Sequence, residues 1–136
     1  MNIFVLDCSV AAAWCFEDEF TSHAQDIFNL LNTMKAVVPN IWPLEISNVL
    51  CMAERHGRIS ADKCNSFLDI ISSLAIELDM GHTSIFNNKI INLTRHHMIT
   101  AYDAAYLELA LRYNVPLASF DKKLCAVAKK EGIKVL

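Results

Sequence analysis

MNIFVLD, residues 1–7, contains an unbroken apolar run from Ile3 to Leu6 that stops at an acid. A short apolar run bounded by polar residues fits a strand buried on both faces, the kind that occupies the middle of a parallel sheet. Three further stretches end in the same way: NIWPLE on Glu45, MITAYD on Asp103 and PLASFD on Asp121. Each acid falls where a strand hands over to a helix or where a helix begins. A carboxylate beside so much apolar surface is costly to desolvate unless a cation or hydrogen bonds compensate it.

The rest of the chain arranges itself around these stretches. Residues 2–6 are the first predicted strand, and a short helix follows from about Ser9. Glu17, Asp18 and Glu19 make an acidic turn, and Ala24, Ile27, Phe28 and Leu31 recur at helical spacing within 21–33. Val37 and Val38 give a second strand closed by Pro39. Pro43 suits the first turn of a helix, where its missing N–H costs nothing; that helix runs to about His56 and stops at Gly57. Ser60 is placed as the N-cap of a helix reaching Ser73. A third strand is expected at 75–78, then a polar helix over 83–96 with Ile85, Phe86, Ile90 and Leu93 facing inward. The clearest helix runs from Thr100 to about Tyr113. PLASF is the fourth strand, a last helix spans about 122–131, and Gly132 releases a short edge strand, IKVL. Strands alternating with helices predict an α/β fold with a mostly parallel sheet. There is no repeat, low-complexity segment or linker, so residues 1–136 are expected to form a single domain.

Composition narrows the function classes. Hydrophobic residues make up 54% of the chain, above the usual share, and part of that excess is expected to cover a partner surface. No apolar run approaches the ~20 residues of a membrane span. The run at Ile3–Leu6 is too short for a signal-peptide core, so a cytoplasmic location is expected. The five cysteines are odd in number, irregularly spaced and without a C-x-x-C, which argues against a disulfide framework or a structural zinc site. They read as reduced, mostly buried thiols; Cys8, beside Asp7, could react near the site, but an inert thiol is the stronger reading. The net charge of −3 counts against a purely electrostatic nucleic-acid binder. Three local clusters run the other way: Arg55, His56 and Arg58; Arg95, His96 and His97; Lys122, Lys123, Lys129 and Lys130. The ordinary reading of each is a solvated helix end, because cations favour helix C-termini.

In a parallel α/β sheet, strand-to-helix junctions share one edge, and ligands bind along it. Four acids gathered there repel one another until a cation fills the gap, and an oxygen-only donor set selects Mg²⁺ or Mn²⁺. Each acid also has a structural role open to it. Asp7 and Asp121 could cap the helices that follow them. Glu45 gains from the macrodipole of its helix, yet Ile41 and Val49 put it on an inward stripe. Thr100-x-x-Asp103 resembles a capping box, yet Ile99, Tyr106, Leu107 and Ala110 share the face of Asp103. Invoking a structural role four times over, on one edge, is the weaker account. Ser9 and Ser119, each two residues from an acid, could orient the carboxylates, as could Asn48 one turn after Glu45. Glu54, Asp62, Asp69, Glu108 and Glu131 are expected on solvent faces; Asp79, after the third strand, is the one extra candidate, though a turn role suits it better. Trp14 and Trp42 read as core or interface anchors.

VLDCSVAAAWCFEDE, WPLEISNVLCMAERHGRI and TAYDAAYLELALRYNVPLASFDKKL, in that order, resemble a PIN domain, and more narrowly the VapC-type toxins of bacterial toxin–antitoxin pairs. The likeness spans essentially the whole chain. It implies a three-layer α/β/α sandwich around four to five strands, and a Mg²⁺- or Mn²⁺-dependent ribonuclease with an acidic pocket. It assigns the acidic positions to Asp7, Glu45, Asp103 and Asp121, and the accompanying hydroxyls to Ser9 and Ser119. It also implies a homodimer and a small antitoxin that blocks the pocket, often through a basic side chain.

The charges suggest how such a site works. An anionic pocket accepts anionic RNA only with a metal ion, which lowers the pKa of a water and screens the phosphate. No histidine is placed as a base, so metal-activated water is the expected nucleophile, leaving a 5′-phosphate and a 3′-hydroxyl. Two rivals stand beside this reading. A receiver-type signalling domain needs a mid-chain Asp and a Lys after a late strand, whereas the late strand here ends in Asp121. A catalytically weak PIN-fold binding module would hold a partner without cutting.

Overall fold

The computed structural model describes residues 2–81 and 86–136. Its elements follow one another as β1 (Ile3–Leu6), α1 (Cys8–Cys15), α2 (Ser22–Leu30), β2 (Lys35–Val38), α3 (Trp42–Arg55), α4 (Ala61–Ser72), β3 (Ile76–Leu78), α5 (Asn88–His97), α6 (Ala101–Tyr113), β4 (Leu117–Ala118) and α7 (Lys122–Lys130). The four strands form one parallel sheet in the order β3-β2-β1-β4. The chain steps outward from β1 to β3 and then returns to place β4 on the other side of β1. Right-handed crossovers therefore put α1–α4 on one face and α5–α7 on the other. Helix packing agrees: α1 touches α2 and α3, α3 touches α4, and α6 touches α5 and α7. This is the three-layer α/β/α arrangement. Receiver-type domains use the order 2-1-3-4-5. Here β1 is flanked by β2 and β4, which removes that rival.

The strand order also locates the binding crevice. Open α/β sheets bind ligands outside the carboxyl ends of the strands where the order reverses, and here that point lies between β1 and β4. The β1–β4 ladder continues past the strands, with the Asp7 N–H donating to the Ala118 carbonyl at 2.9 Å. Asp7 and the residues after β4 are thereby set side by side.

Phe4, Val5 and Leu6 are fully buried, as a central strand requires. Burying each such side chain stabilises the fold by roughly 1.5–3 kcal/mol. The caps read from sequence are present at Ser60 and Thr100, whose hydroxyls accept from the N–H groups of Lys63 and Asp103. Gly57 ends the helix before it with φ +73°, a conformation that glycine adopts without strain.

Several expectations need correction. IKVL is not a strand: Val135 makes only an isolated parallel bridge to Leu117. The helix expected over 83–96 starts at Asn88, because Asn87 caps it through Lys89 N–H. Phe86 therefore precedes the helix and is 77% exposed, while Ile90 and Leu93 do pack on the core; Ile85 lies outside the described residues. Glu108 is not solvent-facing. It is 3% exposed and bonded to Arg112, which also grips Asp79. Glu131 is half-buried with its carboxylate 2.6 Å from His97 Nε2. Glu54, Asp62 and Asp69 are exposed as expected. Among the described residues, no helix is long and apolar enough to cross a membrane.

Candidate functional site

The four acids converge on the carboxyl edge of the sheet. Asp7 directly follows β1, Asp121 directly precedes α7, and Glu45 and Asp103 lie in the first turns of α3 and α6. Their charges act on one another. Asp7 feels Asp121; Glu45 feels Asp7 and Asp103; Asp103 feels Asp121 and Asp7.

Asp7 is the most enclosed, at 6% exposure. It occupies the N-cap position of α1 but its side chain caps nothing. Its Oδ2 instead accepts hydrogen bonds from the hydroxyls of Ser9 and Ser119, both at 2.7 Å. Each serine is oriented in turn by a backbone N–H: Phe120 N donates to Ser9 Oγ at 3.0 Å, and Asp121 N to Ser119 Oγ at 3.1 Å. The carboxylate of Asp7 is thus held from both sides of the β1–β4 junction. Burial pushes its pKa above the usual carboxylate value, the Asp121 charge adds to this, and the serine hydrogen bonds oppose it.

Glu45 is half-buried and accepts a 2.5 Å hydrogen bond from the Tyr106 hydroxyl on α6. Burial raises its pKa, as do Asp7 and Asp103, against the Tyr106 bond. Asp103 is raised by burial and then by Asp121 and Asp7, with Thr100 and Lys123 working the other way. Its backbone N–H completes the Thr100 cap, so it joins the site and starts the helix at once. Asp121 is exposed and caps α7, its Oδ1 accepting from Leu124 N–H at 3.0 Å. Asn48 is exposed on α3 and has no hydrogen bond to the acids.

Two contacts escaped the sequence. The Tyr106–Glu45 bond joins residues 61 apart, and only the placement of Tyr106 one turn after Asp103 hinted at it. Asp79, also at the carboxyl edge, does not join the group. Its oxygens are gripped by the Arg112 guanidinium, which holds the carboxyl below its usual range. Burial pushes the Cys8 thiol up to about 12, so it is not a reactive thiolate. All five cysteines are free. Among the described residues, no three His, Cys, Asp or Glu side chains converge into a ready-made metal cage.

Residues 4–130 match the PIN domain family. The chain belongs to the PIN-domain family. PIN domains are generally nucleases. This PIN domain is similar in fold to PAE2754 from Pyrobaculum aerophilum, with a TM-score of 0.74 and 17% identity over 99% of this chain and 90% of that one. It is also similar to VapBC2 from Rickettsia felis bound to a DNA fragment from their promoter, with a TM-score of 0.64 and 14% identity over 98% and 97% of the two chains. No curated protein sequence matches this PIN domain significantly.

Proposed function

We propose that this protein is a Mg²⁺- or Mn²⁺-dependent endoribonuclease and the toxin of a toxin–antitoxin pair. The observation that carries the reading is the placement of Asp7, Glu45, Asp103 and Asp121 together at the carboxyl edge of the sheet, four acids of which none is ion-paired among the described residues. The donor set fits a hard dication by its chemistry: it is all oxygen, and burial raises the pKa of three of its carboxyls, a cost of ionisation that a bound cation would offset. The fit rests on donor type and charge, since no closed cage is preset.

A bound ion supplies Lewis acidity, activating a water and screening the phosphoryl group. The chain supplies the frame. Ser9 and Ser119 fix the Asp7 carboxylate, and the Tyr106 hydroxyl fixes Glu45 by donating to its Oε1. Asp103 and Asp121, at the starts of α6 and α7, close the negative pocket from the other helical layer. Among the described residues no histidine is hydrogen-bonded to these acids, so proton transfer from the attacking water falls to the carboxylates and solvent.

The toxin assignment is supported by likeness to VapBC2 and by surface chemistry. A groove of about 220 Å³ is lined by Trp14, Phe20, Phe28, Phe67, Ile70 and Leu74 of the α1, α2 and α4 layer. It fits an apolar segment of a small antitoxin. An Arg on that partner would reach the acids and compete with metal, because its planar fork engages carboxylates with two hydrogen bonds. A homodimer would cover further apolar surface.

The test is cleavage of structured RNAs by purified protein in Mg²⁺, Mn²⁺ or EDTA. Cleavage is expected only with metal, and Asp7→Asn and Asp103→Asn should each lower it by roughly 10²–10⁴-fold. Cleavage that persists in EDTA or in these variants would sink the proposal. The binding-module reading is favoured by one observation, the lack of a preset cage among the described residues, and it expects RNA or protein binding with no metal-dependent product.

A further inference from the structure

Charge is segregated along this chain. Residues 1–81 hold four Lys/Arg and eleven Asp/Glu, whereas residues 86–136 hold eight and four. In the acid-rich part, Lys35 is paired with Glu77 at 2.6 Å, and Arg58 with Asp18 at 2.8 Å and Glu19 at 2.7 Å. In the basic part, Arg112 is committed to Asp79 and Glu108. Arg95, Lys122, Lys129 and Lys130 are exposed and make no ion pair among the described residues.

Two contacts bring together the elements that carry these cations, and Lys122 and Lys129, seven residues apart, share one side of α7. Lys123 Nζ donates to the Met98 carbonyl at 2.9 Å, and His97 Nε2 lies 2.6 Å from Glu131 Oε1. The last turn of α5, carrying Arg95, is therefore tied to α7 at both of that helix's ends. The face abuts the acids: Lys122 follows Asp121 directly, and Lys123 is near enough to Asp103 to lower its pKa. Helix stability explains only part of this pattern. Arg95, Lys129 and Lys130 sit in last turns, where cations are favoured. Lys122 and Lys123 open α7, where the macrodipole disfavours them.

We propose that this face, α7 with the end of α5, is a track that leads the phosphate backbone of an RNA strand to the acid edge, with Arg95, Lys122 and Lys129 as positioning contacts. The inference rests on the nuclease reading above. A phosphodiester approaching four carboxylates is repelled, and unpaired cations beside them offset that field and raise encounter rates. Continuity with the pocket, rather than positive charge alone, selects RNA as the occupant over an acidic protein or an anionic membrane.

The experiment measures anisotropy of a fluorescein-labelled oligouridylate with full-length protein in EDTA, where metal-dependent cleavage is silent, across a salt series. It compares wild type, the triple variant Arg95→Ala/Lys122→Ala/Lys129→Ala and a control, Lys35→Ala/Lys63→Ala, whose sites lie outside the track. All five side chains are exposed, so the fold is not at stake. The triple variant is expected to bind more weakly at low salt, its log–log salt slope flattened by about 0.7 per lost phosphate contact. The control should match wild type. In Mg²⁺ turnover the triple variant should raise KM while keeping kcat. An unchanged slope, or equal losses in the control, overturns the track. So does a triple variant that loses binding to phosphatidylglycerol vesicles but not to RNA. Salt-dependent binding lost in the triple variant, with no metal-dependent cleavage by wild type, would keep the track and defeat the nuclease reading. Cleavage with an unchanged KM would do the reverse.

Discussion

Two groups of acids lie near the carboxyl edge of this sheet, and they have opposite electrostatics. Asp79 follows β3, and with Glu108 it closes around the Arg112 guanidinium. Its pKa is driven down, chiefly by that hydrogen bond, and Arg112 is driven up. Asp7, Glu45, Asp103 and Asp121 have no such cation among the described residues, and burial raises the first three. The paired group is a clamp that fixes the β3 end to α6. The unpaired group stores repulsion that a dication would relieve. Position at the edge does not set the two groups apart; the presence or absence of a resident counter-charge does, and the proposed metal site rests on that difference.

The largest expected effect comes from breaking the clamp. Arg112→Leu would remove the cation that Asp79 and Glu108 share, at carboxylates whose side chains are 9% and 4% exposed. Removing one member of a buried pair costs about 3–5 kcal/mol, to be read from urea unfolding in metal-free buffer. A loss under about 1 kcal/mol, the scale of a surface pair, would show that the clamp is solvated.

Removing a support on the other side should leave the fold intact and weaken the site. Ser119→Ala deletes one of the two hydroxyl donors to Asp7 Oδ2. Mn²⁺ affinity is expected to fall about 10–100-fold, as for other loss of outer hydrogen bonds to a ligand. Unaltered affinity would mean that Asp7 needs no orienting partner.

The two groups should also pull pH stability in opposite directions. An acid with a raised pKa in the folded state binds protons more tightly there than when unfolded. Stability from Asp7, Glu45 and Asp103 therefore rises as pH falls through their raised pKa values towards the ordinary ones of 3.8 and 4.5. Asp79 does the opposite: its contribution is present above 3.8 and is lost as pH falls through its depressed value. Metal-free melting temperature should climb from neutral pH to mildly acidic pH and drop below that. A monotonic fall from neutral pH would show that the site acids are not strained.

The smallest effect is the most diagnostic for Asp103. Asp103→Asn keeps the backbone N–H that Thr100 caps and deletes one repelling charge. Metal-free stability should rise by on the order of 0.5–1 kcal/mol. A clear fall would assign the side chain to capping α6.

Much of this was legible in the residues. Ile3–Leu6 announced a central strand because both its faces are buried, and four acids at junctions announced a shared edge because parallel topology leaves no other place for them. The clamp was not legible. α6 is buried nearly all round, with Tyr106 through Ala110 inside, so no polar face marked Glu108 as exceptional. Only its i,i+4 spacing to Arg112 signalled a pair, and the third member, Asp79, lies 33 residues away from Arg112. The serine supports were legible from their two-residue spacing to acids, but the Tyr106–Glu45 bond depends on how α3 and α6 cross the sheet edge.

The central claim, that the unpaired acids are a metal centre and the paired ones are not, is tested most directly by Mn²⁺ titration followed by electron paramagnetic resonance. Wild type, Asp7→Asn and Asp79→Asn would be compared at neutral pH with no RNA present. Binding is expected in wild type, lost in Asp7→Asn and retained in Asp79→Asn. Equal Mn²⁺ binding by wild type and Asp7→Asn would contradict the account.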